Sequence, residues 1–221
     1  MNLVILGLPG AGKGTHAQRL KEELQMCHLS SGEVLKRAIQ QGTEAGNKAR
    51  TYVTSGDLVP DRIVINLMAD EISKYNEHPL LFDGFPRTLR QAHRLDEIMK
   101  KHDKFIDLSI YLEVKKDNLL KRISGRRICS REGTVYHIDF NPPQEDGICD
   151  RCGAPLLQRE DDKQEIVKKR IEESEKRISK IVKYYQEKNI LKKINGTDRS
   201  PDQVHGDVQK AVHSYLEQLK H

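Results

Sequence analysis

Short apolar runs alternate with longer amphipathic stretches along almost the whole chain. Continuous apolar runs are typical of buried strands, and apolar residues three or four positions apart are typical of helices. The pattern predicts strands at Leu3–Gly7, Cys27–Ser30, Leu80–Asp83, Leu108–Glu113 and Leu191–Asn195. It predicts helices at Lys13–Gln25, Gly32–Gln41, Ala45–Ser55, Asp61–Tyr75, Thr88–Lys101, Lys116–Ser124, Gln164–Lys188 and Pro201–Leu219.

The regular alternation of strands and helices indicates an α/β fold. Short connections between them favour a parallel sheet with helices on both faces. Ligands of such sheets bind beyond the carboxyl ends of the strands. We therefore expect the functional rim to include the last residues of four strands, Gly7, Ser30, Asp83 and Glu113.

One segment, from about Gly125 to Asp162, breaks this alternation. It is rich in Gly, Pro, Cys and Arg and has no helical period. It nevertheless carries apolar and aromatic residues of its own, which predicts a small inserted domain rather than disorder: Val135, Tyr136, Ile138, Phe140, Ile148, Leu156 and Leu157.

The first strand leads directly into a glycine-rich segment, Gly7–Thr15. It nearly matches the phosphate-binding pattern G-x-x-x-x-G-K-[ST], with Gly14 inserted between Lys13 and Thr15. Glycines let backbone N–H groups converge on an anion, and the following helix turns its positive end to the same point. Lys13 adds a charge for the outer phosphates, and Thr15 adds a hydroxyl for a phosphate or a magnesium ion. A turn without a ligand would not need these residues in this order.

A second candidate segment, Asp83–Thr88, follows the predicted strand at Leu80–Asp83. A carboxylate at a strand end beside a phosphate loop is suited to organise magnesium and its waters. Arg87 can bind a phosphate with its fork of donors. The alternative is a simple turn in which Thr88 caps the next helix.

Arginines stand at both ends of the inserted segment. Surface arginines usually serve solubility, but closing the insert would bring this group over the phosphates. Phosphoryl transfer needs fixed cations in a site that excludes water, and it needs no nucleophilic side chain. The group comprises Arg122, Arg126, Arg127, Arg159 and Arg170.

Three of the four cysteines lie in the insert, in the turns Cys129–Glu132 and Cys149–Cys152. Three thiolates and a carboxylate make a ligand set that zinc accepts in a closed structural site. A cluster without metal is the alternative, and His137 and Asp150 compete with Glu132 for the fourth position. Cys27 lies apart from the other three, and we expect it to be a small, buried apolar residue of the second strand.

Composition limits the classes of function. The 221 residues are 36% hydrophobic and 32% charged, with a net charge of +5. No apolar stretch approaches the ~20 residues that a membrane span needs, and the N-terminal strand does not match a secretory signal. We therefore expect a cytoplasmic protein with no membrane contact. The mild charge, 5% aromatic content and absence of Trp argue against nucleic acid as a partner.

Taken together, the motifs resemble the adenylate kinase family in its long-lid form, over almost the whole chain. The resemblance implies a phosphate-loop kinase fold with a helical acceptor-binding insert and a small lid that can carry zinc. Its parts would be a core (1–29, 73–125 and 163–221), an acceptor-binding region (30–72) and a lid (126–162). The matching segments are Gly7–Thr15, Leu29–Lys36, Gly56–Val59, Asp83–Thr88, Gly125–Arg127, Val135–Pro143 and Gln158–Asp162, with Gln91 and Arg170.

The resemblance also implies a reversible, magnesium-dependent reaction, ATP + AMP giving two ADP, with these nucleotides as the partners and a monomer rather than a trimer. The catalytic set would be Lys13, Asp83, Arg87, Arg122, Arg126, Arg159 and Arg170. Asp161 and Asp162 would belong to the hinge of the lid. ATP would contact Gly10, Ala11, Gly12, Lys13, Gly14, Thr15, Arg122, Arg126, Val135, Tyr136 and Asp198. AMP would contact Ser31, Lys36, Asp57, Val59, Gly84, Arg87, Gln91, Arg159 and Arg170.

Some residues depart from the family pattern. Lys36 and Ser31 stand where members usually carry Arg and Thr, and a lysine cannot make the bidentate contact of an arginine. The adjacent Arg37 is a possible substitute for this contact. Glu132 stands where zinc-bearing members usually have Cys. These departures leave two alternatives open: a nucleoside monophosphate kinase with relaxed base selectivity, and a basic zinc-knuckle protein that binds nucleic acid and uses the nucleotide as a switch.

Overall fold

The central feature of the fold is a five-stranded parallel sheet. The structure is a computed structural model and describes residues 1–55, 57–158, 162 and 164–218. The sheet strands have the predicted bounds: β1 Leu3–Gly7, β2 Cys27–Ser30, β3 Leu80–Asp83, β4 Leu108–Glu113 and β8 Leu191–Asn195. Their order across the sheet is β2-β3-β1-β4-β8. The predicted α/β class with a parallel sheet is therefore confirmed.

Strand β1 lies in the middle of this sheet, where Leu3 pairs with Leu81 on β3 and with Leu108 on β4. Its residues Leu3 and Val4 are completely buried, as expected for a parallel strand covered on both faces. This position places the carboxyl end of β1 between those of its neighbours, so the residues that follow these strands meet at one rim.

The helices also lie close to the predicted segments. Their bounds are α1 Lys13–Leu24, α2 Ser31–Gln40, α3 Glu44–Ser55, α4 Asp61–Ile72, α5 Leu89–Lys101, α6 Lys116–Ser124, α7 Gln164–Glu187 and α8 Pro201–Gln218, with a 3₁₀ turn at Ser73–Tyr75. Helix α1 ends at Leu24 rather than Gln25 because Gln25 takes a left-handed conformation with a φ of 50°. None of the helices in the described ranges is long and apolar enough to cross a membrane.

The segment after α6 forms a second, separate sheet. Its strands β5 (Arg126–Cys129), β6 (Val135–His137) and β7 (Leu156–Leu157) are antiparallel in the order β6-β5-β7. Cys129, Tyr136, Cys149 and Ala154 form a small apolar cluster apart from the main core. The expected inserted unit is therefore present, and its core is too small for apolar packing alone to stabilise it strongly.

Helices α2, α3 and α4 lie between β2 and β3 in the chain and form the helical insert. Helices α2 and α3 cross closely at Gly46, where a Cβ atom would lie 2.1 Å from the carbonyl oxygen of Ala38. Since no side chain fits at this distance, Gly46 sets the packing of the insert.

Gly46 and Gly206 offer a matched test of this packing. We expect Gly46→Ala to lower the free energy of unfolding by about 1–3 kcal/mol, because the methyl group forces α2 and α3 apart. Gly206 lies in α8, and a Cβ atom there would have no neighbour within 4 Å. Gly206→Ala should therefore stabilise the protein by about 0.4–1 kcal/mol. Urea denaturation followed by circular dichroism measures both, and equal effects would contradict the close crossing.

Candidate active site

The phosphate loop connects the end of β1 at Gly7 to the start of α1 at Lys13. Gly10 and Gly12 have φ angles of 81° and 92°, which side chains rarely allow. A Cβ atom on Gly10 would also lie 2.7 Å from the Cγ1 atom of Ile123. The loop therefore needs these glycines, and it opens the N-terminus of α1 to an anion, as predicted.

Lys13 lies at the centre of a group of charges. Its Nζ atom donates hydrogen bonds to the carbonyl oxygens of Gly7 and Leu8, at 2.9 and 3.1 Å. Burial lowers the pKa of Lys13 to about 8, against the attraction of Asp83, and further positive charges add to the decrease: Arg87, Arg126 and Arg170. Cations from three separate segments thus converge on this lysine.

Asp83 ends β3 beside the first turn of α1, where a Cβ atom on Gly14 would lie 3.5 Å from its Oδ2 atom. Burial alone would raise the pKa of Asp83, but the contact with His28 and the charge of Lys13 hold it below its usual value. The His28 Nε2 atom is 3.6 Å from Oδ2. The sequence analysis did not identify His28, although this residue lies on β2, which ends at the same rim of the sheet as β3.

Arg126 and Arg170 are brought together by Asp162. The carboxylate of Asp162 is completely buried and accepts two hydrogen bonds from Arg126, one of them from Nε at 2.8 Å. The Nη1 atom of Arg170 lies 4.0 Å from the same carboxylate. The predicted Arg159 and Asp161 lie outside the described residues, so their roles stay predictions.

Arg122 points away from this group, toward the connection between β8 and α8. Its Nη2 atom donates to the carbonyl oxygens of Gly196, at 2.8 Å, and Arg199, at 3.3 Å. Asp198, in the same connection, accepts a hydrogen bond from Asn118 at 2.7 Å. Arg122 and Asp198, two residues predicted on the ATP side, therefore meet at this connection.

Three residues predicted to bind AMP meet at one carbonyl group. The Ser31 hydroxyl and the Arg87 Nε atom both donate to the oxygen of Gly84, at 2.6 and 2.7 Å. Gly84 has a φ of 72°, and a Cβ atom there would lie 3.0 Å from Arg87 and 3.1 Å from Ser31. Glycine at this position keeps the two side chains together.

Gln91, the residue expected to contact the acceptor base, is completely buried. Its Oε1 atom accepts from the N–H of Arg87 at 2.7 Å, and its Nε2 atom donates to Asp61 at 2.7 Å. Thr88 caps α5 through a bond to the N–H of Gln91 and also donates to Asp61. Both ends of the Gln91 amide are thus held by the protein, and Asp61 is a partner of Gln91 that the sequence analysis missed.

The remaining acceptor-side residues differ in their surroundings. Val59 is buried, whereas Lys36 is exposed on α2. The adjacent Arg37 pairs with Glu71 at 2.8 Å, and its part in binding the acceptor stays a prediction. Asp57 accepts a hydrogen bond from Lys169 of α7 at 3.2 Å, which connects the helical insert to the helix after the lid.

The lid brings the thiols of Cys129, Cys149 and Cys152 together, with their sulfur atoms within 4.8 Å of one another. The Glu132 carboxylate lies beside Arg151, 3.7 Å from its Nε atom, while the N–H of Glu132 donates to the Cys129 sulfur at 3.4 Å. Val135 is exposed, and the buried Tyr136 hydroxyl lies 3.5 Å from the Cys149 sulfur.

The two competing candidates for the fourth metal ligand are engaged with backbone groups. Asp150 accepts from the N–H of Gln144 at 2.8 Å. The Nδ1 atom of His137 accepts from the N–H of Asp139 at 3.0 Å and of Phe140 at 3.2 Å. Among the described residues, the group of close ligand atoms contains the three thiols and neither Glu132, Asp150 nor His137.

A phosphate loop at the centre of a parallel sheet, an ionised carboxylate at the next strand end and converging arginines define a phosphoryl-transferring enzyme of the phosphate-loop class. The adenylate kinase family model matches residues 5–190, and the chain belongs to this family. Its activity is that of an adenylate kinase, which transfers a phosphoryl group between adenine nucleotides.

Similar curated proteins support the same conclusion. The chain is 44% identical over 210 residues to an adenylate kinase of Bacillus subtilis (strain 168), covering 95% of this chain and 96% of that protein. An adenylate kinase of Oceanobacillus iheyensis is 41% identical over 213 residues, which is 96% of this chain and 99% of that protein. One of Methanocella arvoryzae is 42% identical over 213 residues, with 96% and 98% covered. The family predicted from the motifs is confirmed, and neither alternative function is favoured.

The pKa of Lys13 generates a prediction about ATP affinity. Bound phosphates favour the charged ammonium group and raise its pKa, so MgATP binding takes up a proton near pH 8 and weakens as the pH rises through 8. We expect the Kd for MgATP to rise about tenfold between about pH 7 and about pH 9, measured by calorimetry. Lys13→Arg stays charged and should show a flat profile, so equal profiles for the two proteins would contradict this account.

Proposed function

We propose that the phosphate loop, Gly10–Thr15, holds the phosphates of ATP while Arg87 holds the phosphate of AMP, and that the terminal phosphoryl group passes between them. The convergence of charge on Lys13 carries this proposal. The charges of Asp83, Arg87, Arg126 and Arg170 all affect the pKa of Lys13. Groups assigned to both nucleotides and to the lid therefore lie close to the same lysine. Such a cluster suits the charge that spreads over a transferring phosphoryl group.

The chemical step needs positioning and charge rather than a side-chain nucleophile. An oxygen of the AMP phosphate attacks the terminal phosphorus of ATP, the bond to the bridging oxygen breaks, and ADP leaves. Lys13 and the loop N–H groups stabilise the charge of the leaving ADP. Arg126 and Arg170 neutralise the transferring group, with Arg122 on the ATP side, and Arg159 stays a predicted member of this set.

Asp83 is suited to the magnesium ion that accompanies ATP. Its lowered pKa keeps it ionised, and it lies beside the first turn of α1, so it would hold water molecules bound to the metal. Magnesium would supply further positive charge to the ATP phosphates. Thr15 is exposed in the first turn of α1, and its hydroxyl is free to bind a phosphate.

Closure of the lid would exclude water from the reacting phosphates. We propose the predicted boundaries, with a core of 1–29, 73–125 and 163–221, an acceptor region of 30–72 and a lid of 126–162. The pairing of Arg126 with Asp162 supports a hinge at the end of the lid, because this carboxylate binds arginines on both sides of it.

We also propose a structural zinc ion in the lid, held by Cys129, Glu132, Cys149 and Cys152. Two turns of the same form support this set. The N–H of Gly133 donates to the oxygen of Cys129 at 3.0 Å, and the N–H of Gly153 donates to that of Cys149 at 2.8 Å. Glu132 and Cys152 therefore hold equivalent positions. The ion would cross-link the two turns and stabilise the small lid core.

A monomer in the cytoplasm fits these observations. The proposed ligands of both nucleotides come from one chain, so the site needs no partner. All four cysteines carry free thiols, as expected in a reducing compartment. Light scattering tests the oligomeric state directly.

Turnover with different acceptors tests the proposed function. We expect ADP formation with magnesium, ATP and AMP, and much slower turnover with CMP, UMP or GMP. Lys13→Ala should reduce kcat by about a hundredfold or more without loss of fold. Lys36→Arg should lower the KM for AMP, because it restores a bidentate phosphate contact. Similar rates with all four acceptors would instead support a relaxed acceptor site.

Metal content tests the lid assignment. We expect one zinc per chain by mass spectrometry, and we expect Glu132→Ala to lose zinc to a chelator about 10–100-fold faster. Glu145→Ala, in the same lid, is the matched control. Equal zinc retention by both variants would exclude Glu132 as a ligand.

A further inference from the structure

Two buried histidines lie beneath the phosphate loop and belong to none of the predicted sites. His16, on α1, is 3% exposed, and His205, on α8, is 5% exposed. Their rings stack with centroids 5.5 Å apart and planes 7° apart. Their Nδ1 atoms lie 3.3 Å from each other, so one N–H donates a hydrogen bond to the other nitrogen.

The contact of Glu23 with His205 bears on which Nδ1 atom is the donor. Its carboxylate only accepts hydrogen bonds, and the His205 Nε2 atom lies 2.8 Å from it, so Nε2 of His205 carries a proton. When His205 is neutral, its lone pair lies on Nδ1, and His16 then donates from its own Nδ1 and has no proton on Nε2.

The charged groups around the pair are consistent with a neutral His16. Burial lowers the pKa of His16 to about 4, and His205, Arg19 and Arg122 add to this decrease. Helix α1 contributes Arg19 and Glu23, α6 contributes Arg122, and α8 contributes Gln209, which donates to Glu23 at 3.1 Å.

His16 is joined to the phosphate loop through its main chain. Its N–H donates to the oxygen of Gly12 at 3.1 Å, in the first main-chain bond of α1. A displacement of His16 would therefore act directly on the left-handed turn at Gly12, which has a φ of 92°.

We propose that His205 is a positioning residue for the ATP phosphates, acting through its hydrogen bond to His16 and from there on the Gly12 turn. Helix α8 contains none of the groups assigned to the reacting phosphates, and this contact joins it to the first turn of α1. The inference rests on the proposed binding of ATP phosphates at the loop.

Two substitutions of His205 separate the hydrogen bond to His16 from the one to Glu23. His205→Asn places an amide oxygen near the former Nδ1 atom and keeps an acceptor for His16. His205→Gln extends its amide toward Glu23 and removes that acceptor. We expect His205→Gln to raise the KM for MgATP about fivefold, because the buried His16 donor loses its partner. His205→Asn should stay within about twofold of the parent protein, and the KM for AMP should not change in either.

The outcomes are distinct. Equal KM values for MgATP in the two variants, at similar melting temperatures, would overturn the proposal and leave His205 with a packing role. An unchanged KM for MgATP in Lys13→Ala would instead show that the loop assignment itself is wrong.

A measurement on the unmutated protein covers the case in which a variant fails to fold. Long-range ¹H–¹⁵N correlation spectra report which nitrogen of each imidazole carries the proton. We expect His16 to be protonated at Nδ1 and bare at Nε2, and His205 to be protonated at Nε2. A proton on Nε2 of His16 would overturn the proposed direction of the hydrogen bond between the two histidines.

Discussion

Mutual repulsion among cations is the constraint on which the site depends. Lys13, Arg87, Arg126 and Arg170 lie close enough for the three arginines to lower the pKa of the lysine. Without nucleotides, only protein groups can offset this repulsion. The carbonyl oxygens of Gly7 and Leu8 bind Lys13, and further anionic or carbonyl partners hold the arginines. The loop, the strand end and the end of the lid thus share one role, because each holds a positively charged side chain in place for the phosphates.

In the proposed function, ligand binding would be an exchange of partners. The nucleotide phosphates would replace contacts that the protein makes with itself, such as the pair of Arg126 and the buried Asp162. A carboxylate that holds arginines on both sides of the proposed hinge could release one of them as the lid moves, and lid position would then be coupled to charge in the site. Exchange also limits affinity, because each new contact replaces an existing one, and moderate affinity lets product leave.

The sequence is a good guide to this fold where the signal is local. Buried parallel strands are continuous apolar runs, and the loop glycines are required by backbone geometry, so both could be predicted from the pattern. The helix end at Gln25 could not, because it depends on one left-handed residue. The missed residues share another property, since their partners are distant in sequence: Asp61 binds Gln91, 30 positions away, and His16 meets His205, 189 positions away.

Selectivity for the acceptor base would also depend on replacing protein–protein hydrogen bonds with protein–ligand ones. The Gln91 amide has no unused hydrogen-bonding end in this structure, because Arg87 and Asp61 occupy both. A base that offers a donor and an acceptor in the right geometry can replace these partners at little net cost. A base with a different pattern would leave a buried polar group unpaired, which is strongly unfavourable. If Gln91 contacts the acceptor base as predicted, discrimination would reside in the pair of Gln91 and Asp61 as much as in the glutamine alone, although no local pattern identifies the aspartate.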